Sequence, residues 1–352
     1  MPVDETKLNE LVGKMVGDMG AAMSAALVVL GDRVGLYKAM DGAGPLTSGE
    51  VAQRAGCAER YVREWLAAQA ASGYLSYDRG TDRYELSPEQ AVVFAQDQSS
   101  VFMPGLAEII AAMWRDEPTI SEAFRTGQGV GWHQHDVCLF RGTERFFRPG
   151  YAANLVEAWL PALDGVVSKL TAGASVADVG CGHGSSTIIM AQSFPSSRFV
   201  GYDYHGPSIE RARAAAREAG VGDRVNFHVA SAKDYPGTDY DLVTFFDCLH
   251  DMGDPVGAAQ HVHRTLKDDG TWLIVEPFAH DQLADNLNPV GRIFYSASTM
   301  ICTPASLSQE VGLGLGAQAG EARLRDVVTN AGFTRFRRAT ETPFNLILEA
   351  RR

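Results

Sequence analysis

The sequence predicts an α/β fold in which a seven-stranded, doubly wound and mostly parallel sheet follows a mostly helical winged-helix domain. From Ser175 onward, short apolar runs alternate with helical stretches, which is the pattern of parallel strands joined by helices. Within the first 98 residues, two helical stretches around a tight turn precede a hairpin, which is typical of a winged helix-turn-helix. A length of 352 residues gives each of two domains enough chain for its own core.

The winged helix is predicted from capping and turn signals. Thr47 or Ser48 is a suitable N-cap for its first helix. A second helix is expected over 59–72, and the hairpin turns at 78–80. Upstream, the apolar run 21–30 covers about ten residues, so we expect a buried helix rather than a membrane span, which needs about 20.

Three segments are expected along the chain: a winged-helix domain over 1–98, a helical linker and substrate-pocket segment over 99–170, and a sheet domain over 171–352 with an insertion at 284–320. An insertion between the fifth and sixth strands can lie over the carboxyl edge of the sheet, where open α/β folds bind ligands. The seven strands are predicted at 176–179, 198–202, 225–229, 242–246, 271–276, 333–338 and 344–349.

The charge balance argues against nucleic acid as a partner. The chain has 31 Lys+Arg against 43 Asp+Glu, a net charge of −12, and residues 1–98 alone hold fourteen acidic and nine basic side chains. Such a surface repels a phosphate backbone, and DNA-reading domains normally present a basic face. We therefore predict that the winged helix pairs two subunits into a homodimer and caps a substrate pocket, with DNA binding as the open alternative.

The amino-terminal sequence and the cysteines predict a cytoplasmic protein without a metal centre or a membrane span. The chain opens Met-Pro-Val-Asp-Glu, which lacks the positive start of a signal peptide, and its five cysteines form no CxxC pair. The pairs His133/His135 and His261/His263 are spaced by two, so on a helix their members point to different faces. Because no cysteine or carboxylate with ligand spacing accompanies them, we predict no metal.

The strongest functional signal is a glycine-rich turn where the first strand of the sheet ends. The segment 178–187 reads Asp-Val-Gly-Cys-Gly-His-Gly-Ser-Ser-Thr. Glycines at such a bend let a ligand approach the backbone beside a helix N-terminus. A dinucleotide fingerprint, GxGxxG, needs its third glycine at position 185, which is serine, so the spacing argues against NAD.

An acid at the end of the next strand strengthens this signal. Asp203 follows Gly184 by nineteen residues, and a carboxylate at that point can accept both ribose hydroxyls of a nucleoside. The alternative is that Asp203 caps the helix that begins near Pro207.

These motifs resemble those of a class I S-adenosylmethionine-dependent methyltransferase, a Rossmann-like family, over about 175 residues. A fifth strand that reads Asp269-Gly-Thr to Glu276 completes the series of motifs. The resemblance implies S-adenosylmethionine as cofactor and S-adenosylhomocysteine as product. The residues that it assigns to the cofactor are Asp178, Gly180, Gly182, Gly184, Asp203, Tyr204, Ser231, Ala232 and Asp247.

The resemblance also implies how these residues divide the cofactor among them. The glycine turn cradles the methionine part, Asp178 fixes that turn and its ammonium contacts, and Asp203 holds the ribose with Tyr204 against the adenosine. Where the family often has an Asp-Ala pair near the adenine, this chain has Ser231 and Ala232. The Ser231 hydroxyl and the Ala232 backbone are the expected adenine contacts.

The segment 246–255 is similar to the His-Asp motif of winged-helix small-molecule O-methyltransferases. The resemblance makes His250 the general base that removes the acceptor's proton, and Glu276 the carboxylate that orients it. A histidine suits this role because its pKa lies near working pH, and a positioned base supplies about 10²–10⁴ in rate. The alternative is an ordinary histidine at a strand–helix junction. Asp247 is expected to touch the cofactor rather than the acceptor.

The amino-terminal half is similar to a narrower group of bacterial methyltransferases that begin with a winged helix, some of them labelled as regulators. The shared segments are 132–135 and 146–151 in this half, and 288–295 further along the chain. Each candidate pocket wall is about as readily a core residue, but as a set they favour an aromatic or apolar acceptor. These candidates are Trp132, His133, Phe147, Tyr151, Arg292, Tyr295 and Met300.

The sequence thus predicts a cytoplasmic, dimeric enzyme that methylates a small molecule, most readily at a hydroxyl. Two alternatives stay open. One is a winged-helix transcriptional regulator that senses S-adenosylmethionine, and the other is a methyltransferase that acts at nitrogen or carbon.

Overall fold

A computed structural model describes residues 2–352 of the chain, and these divide into two compact units. The first unit comprises residues 2–114 and Arg141–Pro149, and the second comprises Arg115–Phe140 and Gly150–Arg352. Each unit has its own hydrophobic core. The chain passes between the units within 99–170, the segment predicted from the sequence to be a linker.

The first unit is mostly helical and contains a winged helix-turn-helix, as predicted. A capping box starts α3, because Thr47 Oγ1 accepts the Glu50 N–H while the Glu50 carboxylate accepts the Thr47 N–H. The hairpin strands pair antiparallel. The elements of this part of the chain are α1 Glu5–Arg33, α2 Leu36–Met40, α3 Ser48–Ala55, α4 Glu59–Ala71, β1 Ser76–Asp78, β2 Arg83–Glu85, α5 Pro88–Phe94, α6 Pro104–Thr126 and α7 Val137–Asn154.

A helix forms over 21–30 as predicted, but it is longer than the apolar run and the run is only partly buried. This run belongs to α1, which has 29 residues and is exposed over most of its length. The charged pair Lys14–Asp18 lies on the helix at i,i+4 spacing and supports it, although it interrupts the apolar pattern. By length and composition alone α1 is able to cross a membrane, since an 18-residue window has a mean hydropathy of 1.3, and 11% of that window is buried.

Only the carboxyl end of α1 packs into the core of the first unit. The Trp65 indole N–H donates to the Leu27 carbonyl (2.9 Å), and a side chain at Gly31 would lie 2.4 Å from the Trp65 ring. The backbone then leaves the helix at Val34, so Tyr37 lies on α2 rather than on the same helical face as Leu27.

The second unit is built on the predicted seven-stranded sheet. Its order is β5-β4-β3-β6-β7-β9-β8, in which β3 to β7 are parallel and β9 pairs antiparallel with β7 and β8. Because parallel strands end at one edge, the turns after β3, β4, β6 and β7 meet there. The strands are β3 Ser175–Val179, β4 Arg198–Asp203, β5 Val225–Val229, β6 Tyr240–Phe246, β7 Leu266–Pro277, β8 Arg335–Glu341 and β9 Asn345–Arg351.

Helices cover the sheet and fill the predicted insertion. Between β7 and α14, the chain forms α12, a π-helical turn over Ser298–Cys302, and α13. The core of this unit surrounds β6 and β7 and includes the fully buried Trp272. The remaining helices are α8 Val166–Ala172, α9 Ser185–Ser193, α10 Gly206–Glu218, α11 Pro255–Thr265, α12 Pro289–Ala297, α13 Thr303–Leu307 and α14 Gly320–Asn330.

Candidate functional site

The glycine turn after β3 adopts a backbone that requires glycine. Gly180, Gly182 and Gly184 have φ angles of 73°, 52° and 81°, which L side chains rarely adopt. A side chain at Gly180 would meet the Cys248 sulfur and one at Gly184 would meet the Phe227 ring, whereas nothing lies within 4 Å of Gly182. Packing therefore requires two of the three glycines, and Gly182 is the position that leaves room for a ligand against the backbone.

Asp178 is buried at the end of β3 and holds the start of α9 in place. Its Oδ2 accepts hydrogen bonds from Ser186 Oγ (2.7 Å) and Thr187 Oγ1 (2.6 Å), and its Oδ1 accepts one from Thr244 Oγ1 (3.0 Å). Burial raises the pKa of Asp178 to about 6, although the three hydroxyls oppose this shift. A carboxylate buried among hydroxyls is stabilised in its charged form by a cation, so this position suits a cationic ligand group.

The carboxylate of Asp203 joins the glycine turn to the end of β4. Its Oδ2 accepts the Gly182 N–H (2.9 Å) and its Oδ1 accepts the His205 N–H (2.8 Å). His205 is the N-cap of α10, so Asp203 supports the start of that helix as well as the glycine turn. Burial raises the pKa of Asp203, while the two N–H donors lower it. The result is a carboxylate fixed beside the open position at Gly182.

Tyr204 and the turn after β5 flank this end of the sheet. The Tyr204 side chain lies near the backbone of Trp132 and His133, and partial burial raises its pKa to about 12. The His133 ring lies edge-on to Tyr204 at a centroid distance of 6.3 Å. Ser231 is exposed, and its hydroxyl accepts the Lys233 N–H (3.1 Å), which shapes the turn that also carries the half-buried Ala232.

Asp247 follows β6 with a φ of 49°, an uncommon value for a residue other than glycine and one that concentrates at functional sites. Its Oδ2 accepts the Tyr151 hydroxyl (2.9 Å), and its Oδ1 accepts the Asn345 amide (3.0 Å). Burial and the neighbouring Glu276 carboxylate raise the pKa of Asp247 to about 7. Tyr151, a predicted pocket wall, therefore holds the position of Asp247.

His250 lies in a 3-10 turn at the same edge and contacts a carboxylate through each ring nitrogen. Its Nδ1 is 2.5 Å from Glu276 Oε2, and the other Glu276 oxygen accepts the Leu249 N–H (2.9 Å). Its Nε2 is 3.1 Å from Asp251 Oδ1. The ring is thereby fixed between β7 and the turn after β6.

The charges around His250 favour its protonated form in the free chain. Burial alone lowers the pKa of His250, but the carboxylates of Glu276 and Asp251 raise it well above its ordinary value. Burial alone raises the pKa of Asp251, but the neighbouring His250 and further hydrogen bonds hold it below its ordinary value. The two carboxylates on either side of the buried ring therefore stabilise its charged form.

Trp132 reaches this cluster from the loop between α6 and α7. Its indole N–H donates to Asp251 Oδ2 (2.8 Å) across 119 residues of sequence. The loop is packed closely on α13, because the Val130 N–H donates to the Pro304 carbonyl and a side chain at Gly129 would overlap the Ser308 backbone. A predicted pocket wall is therefore part of the polar network around His250.

The other predicted pocket walls are spread over several elements. His133 and Arg292 are exposed, while Tyr295 on α12 and Met300 in the π-helical turn are half-buried. Phe147 belongs to the first unit, where its ring lies 5.0 Å from that of Phe146.

Sequence reasoning missed several residues of the second unit that hold this edge together. Asp251 stands directly after His250, so the His-Asp motif was a usable signal for it. Ser186 and Thr187 stand in the quoted segment 178–187, so that motif was also a usable signal for them. Thr244, Cys302 and Asn345 lie far in sequence from the residues that they contact, and no spacing pattern marks them. The missed residues are Ser186, Thr187, Thr244, Asp251, Cys302 and Asn345.

Two family matches cover these elements. Residues 170–322 match the family described as "Methyltransferase domain", and residues 22–96 match the family described as "Rv2258c-like winged HTH domain". The first match contains the glycine turn, Asp203, Asp247, His250 and Glu276. The second contains α3, α4 and the hairpin.

Similar proteins include a curated relative and two solved structures. The chain is 30% identical over 151 residues to 27-O-demethylrifamycin SV methyltransferase of Amycolatopsis mediterranei (strain S699), which is 40% of this chain and 55% of that relative. The chain thus spans about half the length of this curated relative. Mitomycin 7-O-methyltransferase MmcR aligns at a TM-score of 0.69 and 20% identity over 99% of this chain and 100% of its own. The structure of PigF with SAH aligns at a TM-score of 0.72 and 18% identity over 100% of both chains. At these identities the structural likeness establishes the fold.

Proposed function

We propose that this chain methylates a hydroxyl of a small molecule. The chain belongs to the S-adenosylmethionine-dependent methyltransferases and carries an Rv2258c-like winged HTH domain ahead of its methyltransferase domain. S-adenosylmethionine supplies the methyl group from a sulfonium centre. The observation that carries the proposal of hydroxyl chemistry is the buried pair of His250 and Glu276, which provides an oriented imidazole at the ligand-binding edge of the sheet.

The residues of the glycine turn fit this cofactor. Gly182 leaves the backbone open to a ligand, and Asp203 holds that glycine from the end of β4. The buried Asp178 suits the ammonium group of the methionine part, because its charged form has only hydroxyl donors around it. Tyr204, Ser231, Ala232 and Asp247 are proposed as the remaining cofactor contacts.

His250 is proposed as the general base and Glu276 as its positioning carboxylate. Glu276 holds Nδ1 and thereby aims Nε2 away from β7. A base must give up its own proton before it accepts one, and two carboxylates oppose that step in the free chain. A bound sulfonium is a cation, so we expect the pKa of His250 to be lower in the cofactor complex, where the base is needed.

An aromatic or apolar hydroxylated acceptor is proposed. The relatives support this class only by their names, which specify O-methylation in the mitomycin and rifamycin cases. Within the second unit, Trp132 donates to Asp251 beside His250, and Tyr295 and Met300 offer half-buried aromatic and apolar surface on the insertion. Transfer to nitrogen or carbon is the competing outcome, and it would not require a base at His250.

The cofactor site is tested by calorimetric titration with S-adenosylmethionine and S-adenosylhomocysteine. We expect micromolar binding by the wild type and its loss in Asp203→Ala, because the glycine turn then loses the carboxylate that fixes Gly182. Asp223→Ala, at an exposed carboxylate, is the matched control and should bind like the wild type. If Asp203→Ala binds S-adenosylmethionine as tightly as the wild type does, Asp203 does not contribute to the cofactor site.

The base is tested by turnover on a panel of phenolic and other hydroxylated acceptors. His250→Ala should lower turnover by about 10²–10⁴-fold while it still binds S-adenosylhomocysteine. His228→Ala, which changes an exposed histidine on β5, should leave turnover unchanged. Unaltered turnover in His250→Ala would favour transfer without a base.

The charges of the winged helix disfavour a DNA-binding regulator. The exposed arginines of α4 are paired on the helix itself, Arg60 with Glu64 (2.6 Å) and Arg63 with Glu59 (2.7 Å). These pairs neutralise the charge that a phosphate contact would use. A salt-dependent gel shift with genomic DNA fragments, combined with failure to turn over any acceptor, would revive the regulator.

We further propose that the winged-helix unit forms a homodimer and that the protein acts in the cytoplasm. The exposed apolar side chains of α1 support the dimer, since a second copy of the chain would cover them. Five cysteines, all of them free, are consistent with a reducing compartment.

A further inference from the structure

The proposed base is one of three side chains, all of types that can bind metals, that come together in the interior of the second unit. One donor atom from each of His250, Asp251 and Cys302 lies within 4.8 Å of the other two, and all three residues are buried. We propose that these residues bind a thiophilic divalent cation, zinc above others, at a site that blocks the base. The inhibitory consequence rests on the proposed function, because the cation and the acceptor hydroxyl would compete for His250 Nε2.

The directions of the histidine and aspartate atoms support a shared ligand. His250 Nε2 and Asp251 Oδ1 are 3.1 Å apart, yet this oxygen has no hydrogen-bond partner among residues 2–352. At that distance, a ring N–H aimed at the oxygen would form a hydrogen bond. The two donor atoms are thus adjacent without a well-aligned hydrogen bond between them, an arrangement that two ligands of one ion share.

The donor types and spacing fit zinc. Histidine nitrogen, carboxylate oxygen and thiolate sulfur bind zinc at about 2.0–2.3 Å, so tetrahedral donors lie roughly 3.3–3.7 Å apart. The 3.1 Å between Nε2 and Oδ1 is close to that donor separation. The Cys302 sulfur lies within 4.8 Å of the other two donor atoms, so it has to approach by at most about 1 Å. Three protein ligands leave a fourth position for water.

Outer hydrogen bonds already orient two of the three ligands. Glu276 Oε2 holds His250 Nδ1, and the Trp132 indole holds the second oxygen of Asp251. A carboxylate on the far nitrogen of a ligating histidine, and a donor on the far oxygen of a ligating carboxylate, are regular features of metal sites. Cys302 ends the π-helical turn of the insertion, which brings it to the His-Asp pair from 51 residues further along the chain.

The buried charge stays balanced when the cation enters. Before binding, a protonated imidazole, a carboxylate and a thiol together carry no net charge, and a cation binds them as neutral imidazole, carboxylate and thiolate. Binding of a divalent cation releases one proton from the imidazolium and one from the thiol. Two positive charges replace two protons, so the interior gains no net charge. The nitrogen lone pair that would accept the acceptor's proton is then bound to the metal.

Cobalt(II) titration of the tag-free, full-length protein tests the site without cofactor or acceptor, so its failure is separate from failure of methyl transfer. Cobalt is the probe because a cobalt–thiolate bond gives an intense near-ultraviolet charge-transfer band. We expect that band at one equivalent per chain, and we expect zinc to abolish it. Cys302→Ser should lose the band and bind cobalt about tenfold more weakly or worse. Cys57→Ser, in the first unit, should keep both.

Thermal melting checks that each variant is folded. If Cys302→Ser does not fold, Asp251→Asn provides a second variant. Asp251→Asn should also weaken cobalt binding by about tenfold or more. No charge-transfer band in the wild type, an unchanged band in Cys302→Ser, or unchanged affinity in Asp251→Asn would each overturn the proposal. Where turnover is measurable, zinc should inhibit the wild type at concentrations that leave Cys302→Ser active.

Discussion

Three carboxylates lie at the carboxyl edge of the sheet, Asp178 buried and Asp203 and Asp247 half-buried, and each is held by a different kind of donor. Hydroxyls surround Asp178, backbone N–H groups hold Asp203, and a phenol with an amide holds Asp247. Hydrogen bonds offset part of the cost of burying each charge, but all three pKa values remain above the ordinary value for aspartate. The site of the free chain is therefore short of positive charge, which S-adenosylmethionine carries.

The raised pKa of Asp178 makes the stability of the free chain depend on pH. The pKa of an exposed aspartate is 3.8, whereas that of Asp178 in the fold is about 6, so the folded state binds this proton more tightly than the unfolded state. That contribution is fully present below pH 3.8 and is lost as pH rises through 6, a change of about 3 kcal/mol.

Asp178→Asn isolates this effect because an amide carries no charge at any pH. We expect its free energy of unfolding, relative to wild type, to rise by up to about 3 kcal/mol between pH 4 and pH 7, as measured by urea denaturation without cofactor. Asp223→Asn, at an exposed position, controls for the general loss of an acid. A difference between Asp178→Asn and wild type that stays constant with pH would contradict the assignment.

At the scale of elements, the glycine-containing loop 127–135 and the insertion 284–320 support the turn that carries His250. The loop supplies the Trp132 indole to Asp251, and the insertion supplies the Gln309 amide to the Asp251 carbonyl (2.9 Å). The Gly316 N–H also donates to the His250 carbonyl (3.3 Å). The 3-10 turn is thus held from two directions by segments that are distant in sequence.

Trp132→Phe tests whether the loop positions the turn that carries His250, the proposed base. Loss of the indole N–H leaves a buried Asp251 oxygen without its donor, which costs about 1–3 kcal/mol. We expect turnover to fall about tenfold on whichever acceptor the panel identifies, with S-adenosylhomocysteine binding retained. Trp159→Phe is the control, since that indole is buried but its N–H has no hydrogen-bond partner among the described residues. Equal losses in the two variants would point to packing alone.

Elements with local signals could be predicted, and long-range contacts could not. Thr47 and the turn glycines are local features, so α3, the wing and the glycine turn follow from short stretches of sequence. The hydrogen bond between Tyr151 and Asp247 joins residues that are 96 positions apart, and Cys302 reaches His250 only because the insertion folds back. Apolar pattern alone also could not give the exposure of α1, because burial depends on what packs against a helix and not on its own composition.

At the scale of the whole molecule, α1 presents apolar side chains that neither its length nor the core of its unit explains. Most of them recur at three- and four-residue spacing, so they share one face. Only a few such side chains are normal at a monomer surface, and a contiguous stripe marks an interaction surface. The members of this stripe, each more than 40% exposed, are Leu8, Leu11, Val12, Met15, Val16, Met19 and Met23.

A second copy of the chain is the expected cover for this stripe, because two identical apolar faces are complementary about a two-fold axis. Light scattering after size exclusion should give a dimer for the wild type and a monomer for Met15→Glu combined with Met19→Glu, since four buried charges would face one another in the pair. Tyr61→Glu, at an exposed aromatic of α4 in the same unit, should remain dimeric. A monomeric wild type that sediments with lipid vesicles would instead assign the stripe to a membrane surface, whereas a dimer that survives the double substitution would place the subunit contact elsewhere.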